Sequence, residues 1–129
     1  DLVTVEFVND AMYDRAALEE IYGELLSRLR AIEAEVMLIT PHFTTPSWMG
    51  FETVRDADKR PYVTFLHEFA ERHQLALADA SARWGHLWKE GIPYQTLLVN
   101  TLNHPDDRGH QMFAEEIFRC FGEEPPTGE

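Results

Sequence analysis

Short apolar runs alternate with amphipathic helix patterns along this chain, and that alternation leaves few folds open to it. Residues 2–8, Leu2 through Val8, form a valine-rich run fit for a buried parallel strand. Next, Leu18, Ile21, Tyr22, Leu25, Leu29 and Ile32 recur at helical spacing over residues 14–34, with acids and arginines opposite and Asp14 as N-cap. Residues 36–40 read as a second strand, stopped by Pro41. A long loop over 42–60 follows, and Pro61 then opens a helix bearing Tyr62, Phe65, Leu66 and Phe69, as proline in a first turn allows. Residues 75–78 form a third strand, and Asp79 caps a short helix through Trp84, Leu87 and Trp88 that Gly91 ends. A strand-like run, Leu97-Leu98-Val99, precedes the last helix, which spans 107–121 and turns Phe113, Ile117, Cys120 and Phe121 inward. Strands and helices in this order predict an α/β layered fold around a parallel sheet.

Composition narrows the functional classes. With 129 residues, 44% of them hydrophobic, the chain can bury a real core, which we assign to residues 1–122; residues 123–129, with Pro125, Pro126 and Gly128, read as a flexible tail. The net charge of −12 argues against nucleic acid and against anionic membranes as partners. No run of about 18 apolar residues is present to span a bilayer. Cys120, alone, cannot form an internal disulfide and reads as a buried structural thiol. The chain begins inside a strand pattern, so it looks excised from something longer. A parallel sheet of so few strands leaves an open edge, so another segment of the protein, or another chain, is expected against residues 2–8.

Two segments carry chemistry. Asn9 and Asp10 follow the first run, and Asn103-His104-Pro105-Asp106-Asp107-Arg108-Gly109-His110 leads into the last helix. A histidine stiffened by a following proline on a loop is a good place for a general base. Together these segments resemble the SGNH (GDSL-type) hydrolases, serine esterases whose third sequence block ends a strand with Gly-x-Asn-Asp and whose last block carries histidine before proline. Phe7-Val8-Asn9-Asp10 stands at the third block, with Phe7 in place of glycine, and His104-Pro105 stands at the last. Met37-Leu38-Ile39-Thr40-Pro41 and Leu75-Ala76-Leu77-Ala78-Asp79 look like the family's next two strands.

The resemblance implies the C-terminal portion of a flavodoxin-like three-layer α/β/α fold that lacks its first strands. It also implies cleavage of a small O-acyl ester such as an acetylated sugar. His104 would be the general base and Asn9 an oxyanion-hole donor. The family's aspartate three residues before the histidine corresponds to Thr101, or to Asn100 if Asn103 counts as inserted; neither is a carboxylate. The family's Gly-Asp-Ser nucleophile block precedes the third block, and Ser27, Ser47 and Ser81 lie in no such context. The serine would therefore come from sequence outside this chain, which alone should be inactive. Asp10 and Trp48 are candidates for substrate contact, and no metal or organic cofactor is implied.

Other readings stand beside these. Asn9-Asp10 can be a plain turn signal, His104 a surface residue and His110 a packing or capping residue. His104, Asp106, Asp107 and His110 offer metal ligands, but without the i, i+4 histidine spacing of a helical site. Phe43, Trp48, Phe51, Trp84, Trp88 and Tyr94 can line an acyl or sugar pocket or simply fill the core. A non-catalytic binding domain that kept the fold is the rival function, favoured by Phe7, the absent serine and the absent aspartate.

Overall fold

The computed structural model describes residues 1–49, 54–55 and 57–122. Three parallel strands, β1 (Leu2–Val5), β2 (Glu35–Ile39) and β3 (Ala76–Ala78), form a sheet in the order β1-β2-β3. Val5 pairs with Leu38 and Leu38 with Leu77, so the strands are in step. Four α-helices are described with it: α1 (Arg15–Ala31), α2 (Pro61–His73), α3 (Ala80–Lys89) and α4 (Asp107–Cys120).

β2 shows why the fold has three layers. Successive side chains of a strand point to opposite faces, and both faces of β2 are covered. Val36 and Leu38 face Leu18, Tyr22 and Leu26 of α1 and Phe65, Leu66 and Phe69 of α2. Met37 and Ile39 face the other way, with Ala78, toward Phe113, Ile117 and Cys120 of α4. A third cluster lies beyond the strand ends, where Phe43, Trp84, Tyr94, Leu97, Leu98 and Met112 pack together. This is the expected α/β arrangement with its parallel sheet. β1 is covered on one face only: Val5 is buried, whereas Leu2 and Thr4 are exposed on the other.

The helix starts follow local chemistry. Asp14, Asp79 and Asp106 each accept a hydrogen bond from the amide three residues on, at 2.9, 3.0 and 2.9 Å, satisfying donors that the helix cannot. Pro61 takes the first helical position of α2.

Several expectations need correction. The first strand stops at Val5, because the chain closes a 3-10 turn at Val8–Met12 that carries Asn9 and Asp10. The run Leu97-Leu98-Val99 is no strand: Pro93 initiates a 3-10 turn at Tyr94–Leu97, and Leu98 makes only an isolated antiparallel bridge with Pro105. Three apolar residues here reflect packing of Leu97 and Leu98 into the third cluster, while Val99 is 74% exposed. On α1 the buried row is Leu18, Tyr22 and Leu26, so Ile21 lies at the margin and Ile32, past the last turn, is 69% exposed. Phe121 likewise follows the end of α4 and is 57% exposed rather than inward. The tail expected at 123–129, and Phe51, lie outside the described residues.

Candidate active site

Parallel α/β sheets bind ligands outside the carboxyl ends of their strands, where loops rather than strands supply the side chains. Here a cavity of about 300 Å³ opens at that edge. Val8, Asn9, Ala11 and Met12 line it from the turn after β1, and Thr44, Trp48 and Met49 from the segment after β2. Arg60 at the head of α2 and Asn103, the residue before His104, complete it.

The turn after β1 is short, with Asn9 and Met12 exposed and Val8, Asp10 and Ala11 partly buried. The Asp10 amide donates to the Phe7 carbonyl (3.1 Å) and the Tyr13 amide to the Asp10 carbonyl (3.0 Å). Asn9 faces the cavity, but the Asp10 carboxylate turns away from it and accepts from the Tyr22 hydroxyl at 3.2 Å. Tyr22 and Tyr62 share a 2.5 Å hydrogen bond beneath. Burial raises the Asp10 pKa, and the Tyr22 bond opposes it. Glu6, half-buried just before, is also raised by burial against the pull of Arg60.

The loop carrying His104 has no regular structure, yet both backbone groups of each of residues 102–104 are engaged. One atom, Asn100 Oδ1, accepts from the amides of Leu102, Asn103 and His104 at 3.0, 3.0 and 3.1 Å. The carbonyls are taken too. Leu102 accepts from the Thr45 amide (2.9 Å), Asn103 from His42 Nε2 (2.7 Å) and His104 from the Val99 amide (2.8 Å). Asn100 Nδ2 also donates to Asn103 Oδ1 at 2.8 Å. Thr101 has a φ of 59°, a left-handed conformation that is costly for a β-branched residue, and its hydroxyl donates to the Asn100 carbonyl at 2.7 Å. Asn100 thus acts on the backbone of His104 and not on its ring. The ring is exposed, and among the described residues none hydrogen-bonds it.

Sequence reasoning missed two buried polar residues: His42, which bonds this loop, and Arg60, which holds the segment that carries His42. His42 is 6% exposed, packed against the rings of Trp84 and Phe113, and burial pushes its pKa down to about 4. Arg60 is 2% exposed. Its guanidinium donates to the carbonyls of Pro41 (3.4 Å), His42 (3.2 Å) and Ala57 (3.2 Å) and to Met49 Sδ (2.9 Å). Burial pulls its pKa to about 10, which leaves it cationic at neutral pH. The one available signal for His42 was its position two residues after Thr40, where a strand hands over to the loop at the ligand-binding edge. Nothing local marked Arg60.

The remaining candidates divide clearly. Trp48 is 60% exposed at the cavity, whereas Phe43, Trp84 and Tyr94 are buried, and Trp88 stacks edge-on to Tyr94. The Asp106 carboxylate caps α4 and pairs with Arg108 at 2.7 Å, and His110 Nδ1 meets the Asp106 carbonyl at 3.0 Å. Among the described residues no group of three or more His, Cys, Asp or Glu side chains is arranged to hold a metal ion. Of the serines, Ser81 is buried with its hydroxyl on the Pro41 carbonyl, Ser27 is exposed on α1, and Ser47 is exposed beside Trp48.

A sequence model of the GDSL-like Lipase/Acylhydrolase family matches residues 1–112. The chain belongs to that family. The match takes in every described strand, the cavity-lining turns and the His104 loop, and it ends within α4. No curated protein and no solved structure is significantly similar to the chain. In a GDSL-like acylhydrolase domain, acyl transfer needs a base that can take a proton and donors for developing oxyanion charge. His104, on a braced loop one residue past the cavity-lining Asn103, and Asn9, which lines that cavity, are side chains of the right chemical types.

Proposed function

We propose that this chain is the C-terminal part of a serine ester hydrolase acting on a small O-acyl ester such as an acetylated sugar. The observation that carries the reading is that Asn9 and Asn103, next to His104, border one cavity at the carboxyl edge of the sheet in a chain of this family. In the proposed reaction a serine from outside these residues attacks the acyl carbonyl while His104 takes its proton. Asn9 Nδ2 then donates to the oxyanion, an amide being able to do so without adding charge. His104 returns the proton to the leaving alcohol, and water repeats the sequence on the acyl-enzyme. Asn100, the residue proposed to orient the base, acts through the peptide that bears it, with Thr101 completing the loop. Trp48, exposed at the cavity, suits stacking on a sugar ring. Asp10 is better suited to hold the turn than to touch substrate. The open edge of β1 suits a further strand, from the same protein or another chain, laid alongside Leu2–Val5.

One observation favours the rival reading of a binding domain that has lost chemistry: no carboxylate among the described residues meets the His104 ring, and loss of that partner can be costly in triad enzymes. Hydrolysis of p-nitrophenyl acetate by the full-length protein decides between them. His104→Ala should lower kcat/KM by at least about 10²-fold with the thermal midpoint nearly unchanged. Ser47→Ala should have no effect. Near-normal turnover in the His104 variant would leave the binding domain as the better account, and loss of turnover in the Ser47 variant would relocate the nucleophile into this chain.

A further inference from the structure

We infer that His42 is a positioning residue for His104, pinning the peptide that bears it by donating a hydrogen bond from Nε2 to the Asn103 carbonyl. The consequence for catalysis rests on the hydrolase reading above; the geometry does not. The contact is 2.7 Å. A carbonyl oxygen only accepts, so the proton lies on Nε2 and the neutral tautomer is set. Burial, which keeps the ring neutral at physiological pH, agrees with that assignment.

The donor is itself anchored. Its ring centroid lies 5.6 Å from that of Trp84 and 5.8 Å from that of Phe113, the latter edge-on. Its backbone carbonyl accepts from Arg60 Nη2 at 3.2 Å. Three residues on, Thr45 holds the preceding loop carbonyl, that of Leu102. The segment after β2 therefore grips two consecutive peptides just before the proposed base. A phenylalanine would fill the space between Trp84 and Phe113 without the desolvation cost of an imidazole, and the Asn103 carbonyl is the partner that the ring's polarity serves among the described residues. Since the His104 ring has no partner among the described residues, its aim depends on its backbone, and a displacement of about 1 Å in a reacting group can cost up to about 10²-fold in rate.

The test compares two variants in the full-length protein. His42→Phe keeps the packing and removes the donor, and kcat should fall about 10-fold or more with little change in KM, as expected when positioning is lost and binding is kept. His42→Gln, whose amide can reach the same carbonyl, should restore most of that loss. An unchanged kcat in folded His42→Phe, whatever its thermal midpoint, would overturn the inference. Should His42→Phe fail to fold, nitrogen NMR of the unmodified protein answers instead. The His42 ring should show a protonated, slowly exchanging Nε2 site coupled to the Asn103 carbonyl carbon, and a fast-exchanging or Nδ1-protonated ring would sink the proposal. Running His104→Ala alongside separates the two claims: an active His104 variant removes the hydrolase reading, while the NMR signature stands or falls on its own.

Discussion

The two loops that border the cavity are held by different means. The turn Val8–Met12 has no buried residue and is held by one side-chain bond, Asp10 on Tyr22, and by Ala11 packed against the cluster of α1 and α2. Residues 102–104 instead have each amide on Asn100 and each carbonyl on a separate partner: Thr45, His42 and Val99. A loop fixed through its peptides presents a side chain from a rigid base although it has no regular secondary structure. The turn rests on fewer side-chain and packing contacts. On the hydrolase reading proposed above, the braced loop suits a base that must meet a proton at short range, and an oxyanion donor on the turn, which works best preorganised, would depend on the bond between Asp10 and Tyr22.

The sharpest way to break the contrast is to crowd the braced side. A Cβ added to Gly109 would lie 2.8 Å from the Leu97 carbonyl oxygen, 2.9 Å from Pro105 Cβ and 3.1 Å from the Trp84 ring. The first is backbone that also accepts from the Asp106 amide at 2.9 Å, so it cannot give way without moving the start of α4. Gly109→Ala should cost about 1–3 kcal/mol or more, despite the better helix propensity of alanine. Gly23, on α1, has nothing within 4 Å of its added Cβ, so Gly23→Ala should stabilise by about 0.5–1 kcal/mol. Chemical denaturation of both variants measures the difference. A Gly109→Ala protein as stable as the parent would mean that the packing beneath the loop is not tight.

The next test separates the two tethers. Asn100→Ala removes one acceptor from three amides and should cost about 1–2 kcal/mol, the scale of a lost helix cap, while speeding hydrogen exchange at residues 102–104. Tyr22→Phe breaks the bonds to Asp10 and Tyr62 and should cost about 1 kcal/mol, leaving exchange at 102–104 unchanged. Faster exchange at 102–104 in the Tyr22 variant would show that the loops are coupled rather than separately held.

This contrast also explains what was legible from sequence. Strands and helices follow periodicity, so the sheet, its helices, the caps at Asp14 and Asp79 and the Pro61 start could be read from nearest neighbours along the chain. The braced loop could not. Its partners come from 42–45 and 97–99, and Leu97-Leu98-Val99 imitates a strand because two of its residues are apolar for a cluster outside the sheet. His42 and Arg60 look like surface residues until the carbonyls that satisfy them are in place. Asn9 and His104 stood out in the sequence because their types and spacing resemble a family pattern. What Asn100 does became visible only in the bonds it makes to the backbone.

The smallest effect expected is electrostatic, and it distinguishes a third carboxylate, at the end of β3, from Asp10. Burial pushes the Asp79 pKa up but is outweighed by bonds from His67 Nε2, the Ala82 amide and the Thr40 hydroxyl, so the net shift is down. The shift at Asp10 is up. Folding therefore favours ionised Asp79, whose contribution is present above its ordinary value of 3.8 and lost as the pH falls through the folded value. It favours protonated Asp10, whose contribution declines as the pH rises past 3.8. His67, 2.7 Å from Asp79, has its pKa raised above 6.5 by that carboxylate, so its stabilisation is complete below 6.5 and disappears as the pH rises through the folded value. The His67 side chain is 46% exposed, and the pair should be worth only about 0.2–1 kcal/mol. His67→Gln should accordingly lower Tm slightly below pH 6.5, and the gap should narrow as the pH rises above 6.5 through the folded value and the parent ring loses its proton. A gap that stays constant across that range would assign the stabilisation to the hydrogen bond alone rather than to the charge on the ring.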